Sequence, residues 1–438
     1  MSLQHWLGPI KDSGWQMYEL SERLYPICRS ITGDGVRETL KILQEYMPLE
    51  IEEIPSGTKV FDWTVPKEWN VREAWVKDAA GRKIIDFAKH NLHLLNYSIP
   101  IHQKMSLADL RPHLHSLPDQ PTLIPYRTSY YQENWGFCLT HQQYEKLEEG
   151  TYEVFIDSSL TEGHLTFGTL LIPGKTEEEI LLSTHICHPS LANDNLSGIS
   201  ILTQLAQFIQ QGDRHYSYRF LFLPGTIGAI SWLALHQDHL ARIKGGWVTA
   251  LLGDDGAFTY KRSRRGDTEI DRITEYVLAT TGHAHQVIDF IPYGYDERQF
   301  CSPGINLAMG NLGRTPFGQF PEYHTSADNM DFIRPENLQQ SFQLFCQMVA
   351  VLEGNRTYQN LAPYCEPQLG KRGLYSAIGG DNDRKERQMA MLWLLNLSDG
   401  QNSLLEIAQR SGLSFALLAE MADVLMEHQL LDLYPSSI

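Results

Sequence analysis

The 438-residue chain is predicted to be an α/β protein built on a mainly parallel, mixed sheet with helices on both faces. Three observations predict this. From Thr166 to about Gly354, short apolar runs alternate with segments of helical periodicity, which is the pattern of a parallel sheet covered on both sides. Between about Pro55 and Glu162 the pattern changes to short alternating stretches carrying Trp63, Trp69 and Trp75, which predicts a small β-rich insertion. Beyond about Gly380 three helical patterns follow one another closely, as in a separate small module. The expected organisation is an α/β domain of residues 1–55 and 165–375, an insertion at 56–164 and a terminal module at 380–438.

Taken in order, Gly14–Tyr46 reads as two helices separated by CRSITGDG, where Gly33 and Gly35 interrupt the pattern. Arg29 and Arg37 flank that turn, either pinning it through salt bridges or reaching a substrate carboxylate. Within the insertion, VREAWVKDAAGRKIID reads as a hairpin turning at Asp78–Gly81. Two readings stay open for Tyr126, Tyr130, Tyr131, Trp135 and Phe137: a wall over a crevice, or the insertion's own core. Strands are expected near 168–172, 180–184, 218–223, 246–252, 286–290 and 305–309. Helices are expected near 195–210, 229–240, 268–281 and 335–353. DNDRKER reads as a polar linker, followed by helical patterns at 389–395, 403–410 and 414–428, with Gly412 at a tight turn and LLDLYP as a short wing strand.

Composition narrows the function. With 42% hydrophobic and 20% charged residues, the chain has the make-up of a globular protein. No apolar run is long enough to span a bilayer, and MSLQHWLGPIKDSGW lacks the basic segment and apolar core of a secretory signal. The six cysteines have no paired spacing, so a reducing, cytoplasmic setting is expected. A formal net charge of −17 argues against nucleic acid or anionic membrane as partners.

Chemistry concentrates in two segments, HICHPSLANDNLSG (185–198) and EYHTSADNMDFI (322–333). The apolar run Ile180–Leu182 leads into His185. Asp194 then opens a segment whose apolar residues Leu196, Ile199, Leu202, Leu205 and Phe208 recur at helical spacing. A strand-end histidine and an aspartate at the next helix start therefore share the sheet edge where ligands bind in open α/β folds. His324 follows in a later loop. Two imidazoles and a carboxylate make a divalent-metal site of zinc type.

These segments resemble the zinc aminopeptidase family, which has the phosphorylase/hydrolase-like α/β fold and includes aminopeptidase Y and the glutaminyl cyclases. The resemblance covers about 13–50 and 166–354, and it implies that His185, Asp194 and His324 bind metal. It extends to YDERQFCSPGIN (295–306), which aligns with a segment near the family's metal site. The chain departs from the family pattern at four places. Gly225 and Thr226 occupy the positions of an adjacent pair of acids, one a general base and one a ligand. Ala250 falls near a further aspartate ligand, and Cys187 replaces the aspartate two residues after the first histidine. With three protein ligands remaining, one zinc is easier to justify than two, although two stay possible.

A hydrolase of this type needs a group to receive the water's proton and pass it to the leaving amine. Glu297 is the first candidate and Asp296 the second, both in the YDERQF segment; Asp254, Asp255 and Glu322 are further acids. His188, before Pro189, is read first as orienting a neighbour or touching substrate and second as a metal ligand, and Cys187 as a small buried residue ahead of a soft ligand. Tyr323 is a substrate-contact candidate beside His324. Arg264 and Arg265, in KRSRRGD, either hold an anionic group of the substrate or form a solvated surface run.

The terminal module resembles a winged helix-turn-helix. From Arg384 onward it carries four basic residues against seven acidic ones, and its presumptive recognition helix, 414–428, has no lysine or arginine. Protein docking or homo-oligomer formation is therefore expected of it rather than DNA binding. The whole arrangement resembles a bacterial group of aminopeptidase-like proteins with an inserted β domain and a terminal winged helix, associated with polysaccharide or specialised-metabolite pathways. The leading expectation is a zinc-dependent hydrolase acting on an amide or peptide-like bond of a small substrate. The alternative is a non-hydrolytic, metal-binding acyltransferase or pseudoenzyme.

Overall fold

The structure, a computed structural model, describes residues 4–8, 10–374 and 381–434. It divides into two compact units, Lys11–Gln343 and Met1–Ile10 with Leu344–Ile438. The expected boundary at 375–380 lies outside the described residues.

The larger unit is built on an eight-stranded sheet. Its strands are β1 (Glu50–Pro55), β2 (His164–Ile172), β3 (Glu179–His185), β4 (Ser217–Leu223), β5 (Ile243–Thr249), β6 (Phe258–Lys261), β7 (His285–Ile288) and β8 (Met309–Gly313). They lie in the order β1-β2-β4-β3-β5-β8-β6-β7. The four central strands, β4, β3, β5 and β8, are parallel to one another. β1 and β2 extend the sheet antiparallel on one side, and on the other β6 is antiparallel to β8. Every residue of β3 and β4 is buried, as expected of central strands covered on both faces.

Helices follow the strands as the periodicity predicts: Ser197–Gln211, Ile227–Leu235, Glu269–Thr280 and Pro335–Gly354. The two N-terminal helices are Gly14–Leu24 and Asp34–Leu43. The Ser21 hydroxyl of the first meets the Ser200 hydroxyl at 3.2 Å, fixing that helix against Ser197–Gln211. Three expectations need correction. The strand expected at 305–309 begins at Met309, because Ile305 and Asn306 turn back on Ser302 and Asn306 takes a φ of 54°. β6 falls where only a loop was expected, in a stretch too short to show a period. DNDRKER is the first part of a helix, Asp381–Leu397, rather than a linker.

The insertion carries a four-stranded antiparallel sheet in the order Lys83–Asp86, Glu68–Lys77, Thr151–Thr161, Ile101–Ser106. The first pair is the predicted hairpin, closed where the Asp78 N–H donates to the Arg82 carbonyl. In the smaller unit, Thr357–Asn360 is the middle strand between Asp399–Ser403 and Leu431–Leu433, the last being the expected wing strand. Helices Leu404–Ser411 and Phe415–Glu427 complete the winged helix-turn-helix. Gly412 sits between them in the left-handed region at φ 71°, where glycine carries no Cβ penalty. Among the described residues no helix is long and apolar enough to cross a membrane.

Candidate metal and catalytic site

The site forms at the carboxyl edge of the parallel strands, where His185 ends β3 opposite Leu223 of β4. The chain then runs through Cys187 and His188 into a tight turn at Ala192–Leu196, whose backbone leaves helical geometry at Asp194 and Asn195. Asp328 fixes this turn from beneath. Its carboxylate accepts from the Asn193 N–H at 2.6 Å and the Asp194 N–H at 3.0 Å. Burial pushes the Asp328 carboxyl up to about 8, against the pull of those two N–H groups. Asn195 adds a second anchor, donating to the Thr184 hydroxyl at 2.7 Å.

So held, the fully buried Asp194 carboxylate lies between two imidazoles. His185 Nε2 is 2.8 Å from Oδ1, and His324 Nε2 is 3.0 Å from Oδ2. Residues 139 apart in sequence thus meet at one carboxylate. Burial alone would raise the Asp194 carboxyl, but His188, His185 and His324 outweigh it and hold the group well below the ordinary carboxylate range. His188 joins the cluster, with donor atoms of His185, His188 and Asp194 all within 4.8 Å of one another. Burial lowers the His188 imidazole to about 3, so it is a neutral nitrogen donor at pH 7. Three imidazoles and one ionised carboxylate, largely shielded from water, form a donor set that fits a zinc-type cation. For His188 this geometry favours the second of its two sequence readings, ligation, over orienting a neighbour. His-x-x-His spacing at a strand end was the signal for its closer role.

Two contacts set the positions of His188 and His324. Arg29 Nε donates to the His188 carbonyl at 2.9 Å, and its Nη1 donates to the Leu24 carbonyl at 2.6 Å. This is the pinning role, with the helix end and the His188 loop tied to one buried guanidinium. His324, at φ 54°, accepts through its carbonyl from the Tyr126 N–H at 2.8 Å. The Tyr126 ring packs against both His324 and His188. Of the insertion's aromatics, Tyr126 therefore faces the site and Phe137 is core. Trp135 stacks on His113, and Tyr131 is exposed.

The acids of YDERQF separate. Tyr295 stacks on His185 with ring centroids 5.1 Å apart. Asp296 is buried beside it: a Cβ built on Gly225 would lie 3.6 Å from both Asp296 carboxylate oxygens and 3.2 Å from the His185 Cβ. Asp296 thus reaches into the space that a side chain at 225 would enter. Burial raises its carboxyl to about 7, and its Oδ1 has no hydrogen-bond partner among the described residues. Glu297 instead forms a buried ion pair with Lys261, whose Nζ also donates to the Tyr293 carbonyl at 2.8 Å. Asp254 is bonded to Asn193 and Thr315. Burial lifts the Cys187 thiol to about 12, which makes it a packed thiol rather than a metal-binding thiolate.

The substrate-contact candidates divide likewise. Tyr323 stacks on His324 with centroids 3.9 Å apart, so it is at the site. Arg264 is exposed and donates to the Asn306 side chain at 3.0 Å, and Arg265 is exposed. Neither touches the cluster among the described residues. Arg262 pairs with Glu275 and Asp289.

Comparison with known proteins gives the family and the fold. Residues 18–355 match a family model described as a domain of unknown function, DUF4910, and residues 356–433 match a winged helix-turn-helix model. A Clostridium acetobutylicum protein, named for polysaccharide biosynthesis and an aminopeptidase-like domain, is 52% identical over 422 residues, covering 96% of this chain and 97% of its own. A crystal structure from C. acetobutylicum, described as that of a peptidase, is 50% identical with a TM-score of 0.92, covering 96% of this chain and 97% of that one. A zinc aminopeptidase from Bacillus subtilis shares the fold at 13% identity and a TM-score of 0.56, covering 78% of this chain and 95% of that one. With its matched region spanning the sheet, the insertion and the His–Asp cluster, the chain belongs to the DUF4910 family and has an aminopeptidase-like fold with a C-terminal winged helix.

Proposed function

We propose that the protein is a metal-dependent hydrolase of an amide or peptide-like bond in a small substrate, with His185, Asp194 and His324 as metal ligands and His188 within reach. Asp296, rather than Glu297, is the proton-handling residue. A divalent cation of zinc type, when bound, supplies a Lewis acid for the carbonyl and eases deprotonation of water. The observation that carries the assignment is the Asp296 carboxylate reaching toward the space over Gly225, beside His185. A carboxyl there, with Oδ1 unpartnered, can take a proton from water and return it to a leaving amine. Tyr295 and Tyr323, stacked on His185 and His324, fix the planes of those imidazoles and wall the crevice.

Metal content and turnover on aminoacyl anilides test this together. Zinc-loaded protein is expected to hold about one equivalent, in line with three or four protein donors. His185→Ala and Asp194→Ala should lose it. Asp296→Asn should keep the metal and lose about 10²–10⁴ in turnover, the usual share of a general base. Protein that takes up no metal, or an Asp296→Asn variant as fast as the wild type, would sink the proposal.

A second reading is favoured by a separate observation. Neither Gly225 nor Thr226 carries an acid, Ala250 lacks one too, and the C. acetobutylicum relative is named for polysaccharide biosynthesis. This reading is a non-hydrolytic, metal-binding acyl-transfer or binding role in such a pathway. Stoichiometric metal with no hydrolysis of any amide in the panel would favour it.

A further inference from the structure

The insertion contains a second cavity, an open cleft of about 590 Å³ lined by Arg127, His115, Gln132, Asn134, Tyr144 and Ser116 among others. Its lining has no aspartate or glutamate, in a chain whose net charge is −17. The Arg127 guanidinium is exposed and has no acidic partner among the described residues, whereas Arg23, Arg37, Arg72, Arg82, Arg219 and Arg262 all pair with carboxylates. Around it stand the side-chain amides of Gln132 and Asn134 and the hydroxyls of Thr128 and Ser129. Two acids adjoin the lining: Glu133, paired with Lys67, and Glu145, 3.6 Å from His141 Nε2, while His141 Nδ1 meets the Ser116 hydroxyl at 3.0 Å.

We infer that this cleft binds a carboxylate-bearing sugar, its carboxylate on Arg127 and its hydroxyls on Gln132, Asn134 and Thr128. A free guanidinium holds a carboxylate through two parallel N–H bonds. Neutral amides and hydroxyls serve both as donors and as acceptors, which polyhydroxylated ligands require. Burial and the nearby Arg127 charge lower the His115 imidazole, so it is neutral at pH 7, and Arg127 is the one arginine or lysine of the lining. One charge suits a monoanionic carboxylate better than a phosphate dianion. The cleft differs from the metal site, yet one segment of chain serves both. Tyr126 packs on His188 and His324, while its neighbour Arg127 lines the cleft. Pro125 and Thr128 hold this segment through bridge pairings to Thr325 and Asn96.

Calorimetric titration of the full chain with D-glucuronate, D-glucose, acetate and glucose 6-phosphate tests the inference. Glucuronate is expected to bind at least tenfold more tightly than glucose or acetate and more tightly than glucose 6-phosphate. Arg127→Gln should weaken glucuronate at least tenfold, as expected for loss of a charge-assisted hydrogen bond. Asn134→Ala should weaken it severalfold. Both side chains are exposed, so neither change should disturb folding. No glucuronate binding, equal binding of glucose or acetate, preference for the phosphate ester, or unchanged affinity in Arg127→Gln would each overturn the assignment.

Discussion

At the scale of single residues, Gly225 and Asp296 are coupled through the space they share. A Cβ at 225 has ordinary contact distance to Asp296 but lies 3.2 Å from the His185 Cβ, so Gly225→Ala needs a shift of a few tenths of an ångström there and should cost about 1 kcal/mol. Gly225→Glu would drive a second carboxylate into the buried Asp296, and like charges without solvent disfavour both. It should destabilise the fold by several kcal/mol, and Asp296→Gly in the same chain should recover much of that loss. Urea melts of the two single variants and the double variant measure the coupling, and additive losses would show that the two positions do not share a space. The cluster of two imidazoles and a carboxylate was legible in sequence because strand-end His185, helix-start Asp194 and the His324 loop each carry a local signature. Which of Asp296 and Glu297 lies beside His185 was not. Neighbours in a helix start point in different directions, and which one meets His185 depends on Lys261, a strand residue far away in sequence that pairs with Glu297.

At the scale of elements, buried or half-buried ion pairs fix strand and helix positions. Arg219 of β4 grips Glu179 of β3 in a bidentate pair at 2.5 and 3.0 Å, with side-chain exposures of 10% and 3%. Removing one partner leaves a buried charge alone, so Arg219→Ala should cost about 3–5 kcal/mol in denaturant melts, while an apolar replacement of both partners should cost far less. Arg37 shows the same logic nearer the surface, where the helix Asp34–Leu43 is tied to Glu53 of β1 and to Glu68 of the insertion. The Arg37 guanidinium pulls the Glu68 carboxyl down to about 2. A depressed carboxylate stabilises the fold above its ordinary pKa and loses that contribution as pH falls from about 4.5 toward 2. Acid unfolding of Arg37→Ala should therefore begin at higher pH than in the wild type, and coincident acid transitions would refute the assignment. Strong periodicity made the central strands and the long helices legible. β1 and β6 were not read: β1 lies at the edge of the sheet and β6, four residues long, runs between β8 and β7, so the pairing of each is decided by neighbours distant in sequence.

At the scale of the whole molecule, charge decides between partners that the fold alone leaves open. A winged helix-turn-helix binds DNA by laying its recognition helix in the major groove while cations neutralise phosphates. Here the helix Phe415–Glu427 carries Glu420, Asp423 and Glu427 and no basic residue. Of the module's few cations, Arg387 is paired with Glu420 at 2.6 Å and Arg410 donates to Asn402 at 3.2 Å. Phosphate contacts supply most non-specific affinity, and a chain of net charge −17 repels the polyanion before any contact forms. The expected result is no retardation of duplex DNA by the full chain at about 50 mM salt, where phosphate binding is strongest. Retardation that weakens with added salt and with Arg410→Ala would establish a DNA-binding role. Its absence would direct attention to the acidic face of the helix, Glu420, Asp423 and Glu427, as a surface for a protein partner or a second copy. Sedimentation of the full chain and of a triply substituted Glu420→Lys, Asp423→Lys, Glu427→Lys variant separates these outcomes. If the helix face docks a second copy, the wild type sediments as an oligomer and the charge-reversed chain as a monomer.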